Sequence, residues 1–202
     1  MISKVALKIA EYYSEMQKYS REEIAIYKYG YELLISTFIN FLCILIVSFL
    51  FHSIIGGILF CSAFIPLRTT AGGYHAKHHW SCILTFTLIF TIFSFFISFL
   101  HQKFMKIYII ISVVLALVFV LLFSPVEAIN KHLEIDKRRK QRSKSVYISV
   151  GNVLTVLVLL STDFINTIYK EIAYYCSGAL AASISLLMAV FINGLQRNNT
   201  YD

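Results

Sequence analysis

Residues 54–100 read IIGGILFCSAFIPLRTTAGGYHAKHHWSCILTFTLIFTIFSFFISFL, two apolar runs with a polar stretch between them. Neither run, 54–67 or 83–100, carries a charged side chain. Crossing about 30 Å of hydrocarbon takes about 20 apolar residues, so the second run nearly suffices and the first is short. At 1.5 Å per residue, 54–67 covers roughly 21 Å. Either the uncharged stretch from Thr69 to Tyr74 extends it, or the polar segment dips into the interface. Both options set Arg68–Cys82 at the edge of a membrane.

Four further runs approach span length, at 33–51, 107–126, 146–162 and 172–195. The chain is 58% hydrophobic and only 14% charged, with a mean hydropathy of +0.71. Soluble domains carry about 25% charged residues. The expectation is an all-α, polytopic integral membrane protein with about six transmembrane helices. It forms one domain over 1–202, with no room for a second, soluble one. Residues 1–30 are studded with charges and have no apolar h-region, so no cleavable signal peptide is expected.

Six spans put both termini on one side. If that side is the cytoplasm, Lys4, Lys8, Lys18, Arg21 and Lys28 lie inside, as do Arg68 and Lys77. So do the basic run Lys131–Lys144 and Arg197, leaving only Lys103, Lys106 and Lys170 of 18 basic residues outside. The excess of inside charge selects a multi-pass protein of the cell membrane with termini and the 68–82 segment cytoplasmic. That compartment is reducing and keeps Cys82 a free thiol. The run Asp136–Lys144 reads as a solvated loop that sets topology and attracts anionic lipid. Orientation alone accounts for the net charge of +7, so nucleic acid is not an expected partner.

Residues 2–19 read as an amphipathic helix. Ile2, Val5, Ala6, Ile9, Tyr12, Tyr13 and Met16 recur at helical spacing, with Lys4, Lys8, Glu11 and Glu15 elsewhere. Such a helix lies on the bilayer or the bundle, or offers a docking surface for an amphipathic substrate. Ser20 and Glu23 have capping-box spacing, so a second helix starts there.

Chemistry concentrates in Arg68–Cys82, which holds three of the six histidines and one of the four cysteines. The other thiols, Cys43, Cys61 and Cys176, sit in apolar runs without CxxC pairing and read as small buried hydrophobes. Cys82 differs. It stands at the start of a span, where a helix N-terminus favours negative charge, with Lys77 and Arg68 adding positive charge. A histidine within reach completes a thiolate nucleophile with its base. Regular helical spacing makes both His78 and His79 face neighbours of Cys82 and favours His78. His75 serves only if Gly72-Gly73 permits a turn. The bland alternative is a packing cysteine beside solvated histidines. A zinc site from His75, His78, His79 and Cys82 has enough donors, but adjacent histidines diverge and no standard spacing is matched.

The pattern Arg68-x-x-Ala71-Gly72-Gly73-Tyr74-His75-Ala76, with Cys82 seven residues after His75, resembles the accessory gene regulator protein B (AgrB) family. Ser124-Pro125-Val126-Glu127 with Asn130-Lys131 and a basic run is similar to the family's segment after its fourth span. The resemblance implies a membrane cysteine endopeptidase of quorum sensing with His75 and Cys82 as the catalytic pair, overriding the spacing preference for His78. It needs no cofactor and no metal. The implied substrate is a small AgrD-type precursor peptide with an amphipathic N-terminal helix and an acidic C-terminal tail. Cleavage would leave the signal segment as a Cys82 thioester, which an internal Cys or Ser of the peptide closes into a thiolactone or lactone. Arg68, Lys77, Gly72, Gly73 and Glu127 are the candidate substrate-binding residues, and a homodimer is expected by analogy. Two other classes compete: a peptide exporter, and a His/Cys membrane protein responding to metal or pH. All 11 acidic residues avoid the span centres, which weakens ion-coupled transport.

Overall fold

Backbone amides inside hydrocarbon must be paired within the protein, which for one apolar segment means a helix. The computed structural model describes residues 2–17, 20–72, 79–126, 135–161 and 165–198. Among the described residues there are seven helices: α1 (Ile2–Gln17), α2 (Arg21–Leu50), α3 (Ile54–Ala71), α4 (His79–Phe99), α5 (Gln102–Phe123), α6 (Ile135–Leu160) and α7 (Ile165–Asn198). All except α1 are long and apolar enough to cross a membrane. The fold is the all-α, multi-pass membrane architecture that the apolar runs imply.

Local signals explain several boundaries. The Ser20 N–H donates to Glu23 Oε2 at 2.7 Å and the Glu23 N–H to Ser20 Oγ at 3.3 Å, the reciprocal capping box that opens α2. The short run 54–67 is lengthened as one helix to Ala71. One expectation fails: the basic run Asp136–Lys144 is not a loop. It forms the first turns of α6, because its Lys, Arg and Gln side chains are good helix formers with no Gly or Pro among them.

The chain divides into two compact units. The first, Met1–Val47 with Ala76–Phe90, contains α1, most of α2 and the beginning of α4. Here α1 buries Ile2, Ala6 and Ala10, one row at four-residue spacing. Val5 and Tyr12, assigned to the apolar face from sequence, are exposed instead, and Tyr13 stacks on Tyr31 of α2 with ring centroids 6.3 Å apart.

The second unit, Ser48–His75 with Thr91–Asp202, holds α3, α5, α6 and α7. Its packing rests on small side chains. Lipid tails are as apolar as leucine, so helices associate in a membrane through close backbone approach and interhelical hydrogen bonds. A Cβ on Gly178 of α7 would strike the Phe60 carbonyl oxygen of α3. Ala63 and Leu67 of α3, Ala116 and Val120 of α5, and Ala179 and Ala182 of α7 form the core beside that contact. Hydroxyls and an amide tie the helices across it. Ser183 Oγ donates to the Ala116 carbonyl at 3.2 Å, and the Tyr175 hydroxyl to Asn152 Oδ1 of α6 at 2.6 Å. α6 meets the core along Ser145, Ser149, Asn152 and Val156, a stripe of helical period.

Candidate active site

α3 ends in a polar turn. Its Thr69 and Thr70 hydroxyls donate to the Pro66 carbonyl at 3.0 and 2.9 Å, so they are satisfied by their own helix. Arg68 is half-buried in the same turn. Gly72 then leaves the helix with φ +82°, in the left-handed region that favours glycine. The Val126 N–H donates to the Ala71 carbonyl at 3.0 Å, and Gly72 and Val126 form an isolated parallel bridge. A Cβ at Gly72 would strike the Val126 carbonyl oxygen. Glycine is therefore demanded here twice, by φ and by space.

The other half of this clasp is anchored in turn. The Ser124 N–H donates to the Val120 carbonyl at 3.0 Å, closing α5. Ser145 Oγ of α6 donates to the Arg142 carbonyl at 2.9 Å, so in the 2.6 Å contact between the two hydroxyls Ser124 is the donor. Both serines are buried. The Ser124-Pro125 peptide is cis. The two motif segments, 54 residues apart in sequence at Gly72 and Val126, thus meet at the end of one helix bundle.

Cys82 is the fourth residue of α4 and is exposed. The first four amides of a helix have no intrahelical acceptor and carry the positive end of its dipole. Cys61 and Cys176 are buried, as expected of packing thiols, whereas Cys43 is only half-buried. α4 opens at His79, three residues before Cys82 on the same helix.

Of the residues singled out from sequence, Arg68, Gly72 and Cys82 are described as above. Gly73, His75, Lys77, His78, Glu127 and Asn130 lie outside the described residues. Among the described residues no cluster of three or more His, Cys, Asp or Glu side chains is placed to hold a metal. Reasoning from sequence missed the roles of Val126 and Ser145. Ser124-Pro125-Val126 was visible as a motif, but no spacing rule pairs it with Gly72.

On α6, Asp136, Arg139, Lys140, Ser143, Lys144 and Tyr147 line a cleft of about 740 Å³. Three cations and one carboxylate make it electropositive, and an acidic peptide or an anionic headgroup fits that charge.

These features define a polytopic membrane protein with an accessible thiol at a helix start and a glycine clasp between two motif segments. The family described as Accessory gene regulator B matches residues 4–192, and the chain belongs to it. It is 26% identical over 196 residues to AgrB-like protein 2 of Clostridium perfringens strain 13 / Type A, covering 95% of this chain and 87% of that protein. It is 27% identical over 192 residues to the AgrB-like protein of Clostridium perfringens strain SM101 / Type A, covering 92% and 85% respectively. No solved structure matches it. Membership associates the chain with quorum-sensing peptide processing in accessory gene regulator systems.

Proposed function

We propose that the chain, working as one integral membrane domain, is a cysteine endopeptidase that trims and cyclises a small precursor peptide of the AgrD type. The observation that carries this reading is the exposure of Cys82 at the first turn of α4, while Cys61 and Cys176 are buried. A nucleophile must be accessible to its substrate, and of these three thiols Cys82 is the exposed one.

In the proposed reaction His75 takes the Cys82 proton and the sulfur attacks the scissile carbonyl. The amides of the first turn of α4 are the candidate donors to the oxyanion. The bond to the acidic tail breaks, His75 returns the proton to the leaving amine, and the signal segment remains as a thioester on Cys82. An internal thiol or hydroxyl of the peptide attacks that thioester. The ring closes and Cys82 is regenerated. Direct closure of an amide to a thiolactone is uphill, whereas exchange between thioesters is nearly even, so the covalent step stores the activation. A site at the lipid boundary limits competing water.

An acidic tail would be complementary in charge to the basic residues Arg68 and Lys77 and to the basic start of α6, if the positive-inside orientation holds. Gly72 and Gly73 supply the backbone freedom the segment needs, and Glu127 is a candidate partner for substrate or for His75.

The test is cleavage of the cognate precursor by full-length protein in liposomes. Cys82→Ala and His75→Ala should each abolish tail release while leaving the protein folded. Tail release that persists in His75→Ala moves the base to His78 or His79. Release that persists in Cys82→Ala ends the proposal.

A further inference from the structure

At the Ile54 end of α3 the chain makes a tightly bonded turn. The His52 N–H donates to the Phe49 carbonyl at 3.1 Å and the Ser53 N–H to the Ser48 carbonyl at 2.9 Å. His52 takes φ +50°, in the left-handed region that few non-glycine residues enter and that histidine enters more readily than most. The first turn of α3 is seated on α7: a Cβ at Gly56 would strike Ser53 Oγ and the Tyr174 ring. Three residues before Tyr174 on the same helix is Glu171.

Between these elements lies a cavity of about 460 Å³ lined by Phe49, His52, Ser53, Ile54, Ile55 and Glu171. Glu171 Oε2 is shielded from solvent and, among the described residues, has no hydrogen-bond partner. A carboxyl oxygen left in this way costs free energy until the carboxylate turns it toward a donor in the cavity. Phe49, Ile54 and Ile55 are exposed, so the rim of the cavity is apolar. The cavity sits where the span Glu23–Leu50 ends and the spans Ile54–Ala71 and Ile168–Asn193 begin. That is the depth of lipid headgroups.

One ligand class combines an N–H cation, a phosphate and acyl chains at that depth. We propose that this cavity binds a phospholipid carrying a primary ammonium group. The ammonium donates to Glu171, the phosphate lies beside His52, and the chains run along Phe49, Ile54 and Ile55. A quaternary ammonium has no N–H for Oε2. A headgroup with phosphate and no amine brings only like charge to the carboxylate. A divalent metal would find one carboxylate and one imidazole, too few ligands to be held well.

The inference does not depend on the peptidase reading, and its test needs no peptide. Full-length protein in detergent is given equal amounts of phosphatidylethanolamine, phosphatidylcholine and phosphatidylglycerol with matched chains, and adducts are counted by native mass spectrometry. Phosphatidylethanolamine should be retained roughly tenfold over the other two, the worth of one charge-assisted hydrogen bond. Glu171→Gln should erase the preference, and His52→Ala should weaken retention of phosphatidylethanolamine. Soluble glycerophosphoethanolamine at the same concentration should not displace the lipid; displacement would show the chains add nothing and would overturn the acyl part. Equal retention of the three lipids by the unaltered protein overturns the proposal without recourse to any variant. So does a preference that survives Glu171→Gln.

Discussion

α7 and α4 are both apolar enough to span a bilayer, yet they are built to opposite specifications. α7 buries 56% of its span and lines its packed faces with Ala173, Cys176, Ser177, Gly178, Ala179, Ala182 and Ser183. α4 buries 22% of its span and exposes Leu84, Leu88, Ile92, Phe95, Phe96 and Phe99. Hydropathy alone does not separate them. The share of small residues does: on α7 they let backbones approach and lock around a few large buried side chains such as Tyr174 and Leu186, while α4 turns most of its large side chains outward at little cost. The same division runs through the cysteines. Cys176 on the locking helix is buried, and Cys82 at the head of the lipid-facing helix is exposed.

If that division is correct, the two helices should fail differently. The largest effect belongs to α4: on the proposed role of Cys82 as nucleophile, Cys82→Ala should lower peptide processing by at least about 10³-fold with the melting temperature in detergent unchanged. Next comes the clasp. Gly72→Ala forces a Cβ into the left-handed region and onto the Val126 carbonyl oxygen. Displacing the segment that leads to His75 should cut processing by about 10²-fold, the usual result of roughly 1 Å misplacement, with Cys82 still present and titratable by maleimide. Gly178→Val on α7 should leave Cys82 reactive but destabilise the fold by about 2–3 kcal/mol, since overpacking here meets backbone and not a flexible side chain. Denaturant unfolding in mild detergent would measure it. The smallest effect is on the lipid face, where Leu84→Ala should change stability by less than about 0.5 kcal/mol in the same assay. An effect there as large as that of Gly178→Val would mean that α4 is a packing helix after all.

Much of this division was readable beforehand. The apolar runs delivered the helices, and Ser20 with Glu23 delivered the start of α2 because a capping box is a local signal. Cys61 and Cys176 followed from their apolar surroundings. What stayed hidden was non-local. The pairing of Gly72 with Val126 joins segments on different helices, and no periodicity encodes a contact between two loops. The helical state of the basic run on α6 was also obscured, since dense positive charge signals topology and solvation without specifying backbone conformation. On α1, a three-residue and a four-residue row were both open, and the packed row proved to be Ile2, Ala6 and Ala10, the one with small members.

The central claim is that Cys82 carries a covalent acyl intermediate, and intact-mass analysis tests it most directly. The protein is incubated in liposomes with the small amphipathic precursor peptide and quenched in acid before the ring can close. The account requires an adduct equal to the precursor without its C-terminal tail, mapped to Cys82, labile to hydroxylamine and absent in Cys82→Ala. Tail release by a folded protein with no such adduct at any quench time, or an adduct mapped to another residue, would contradict it.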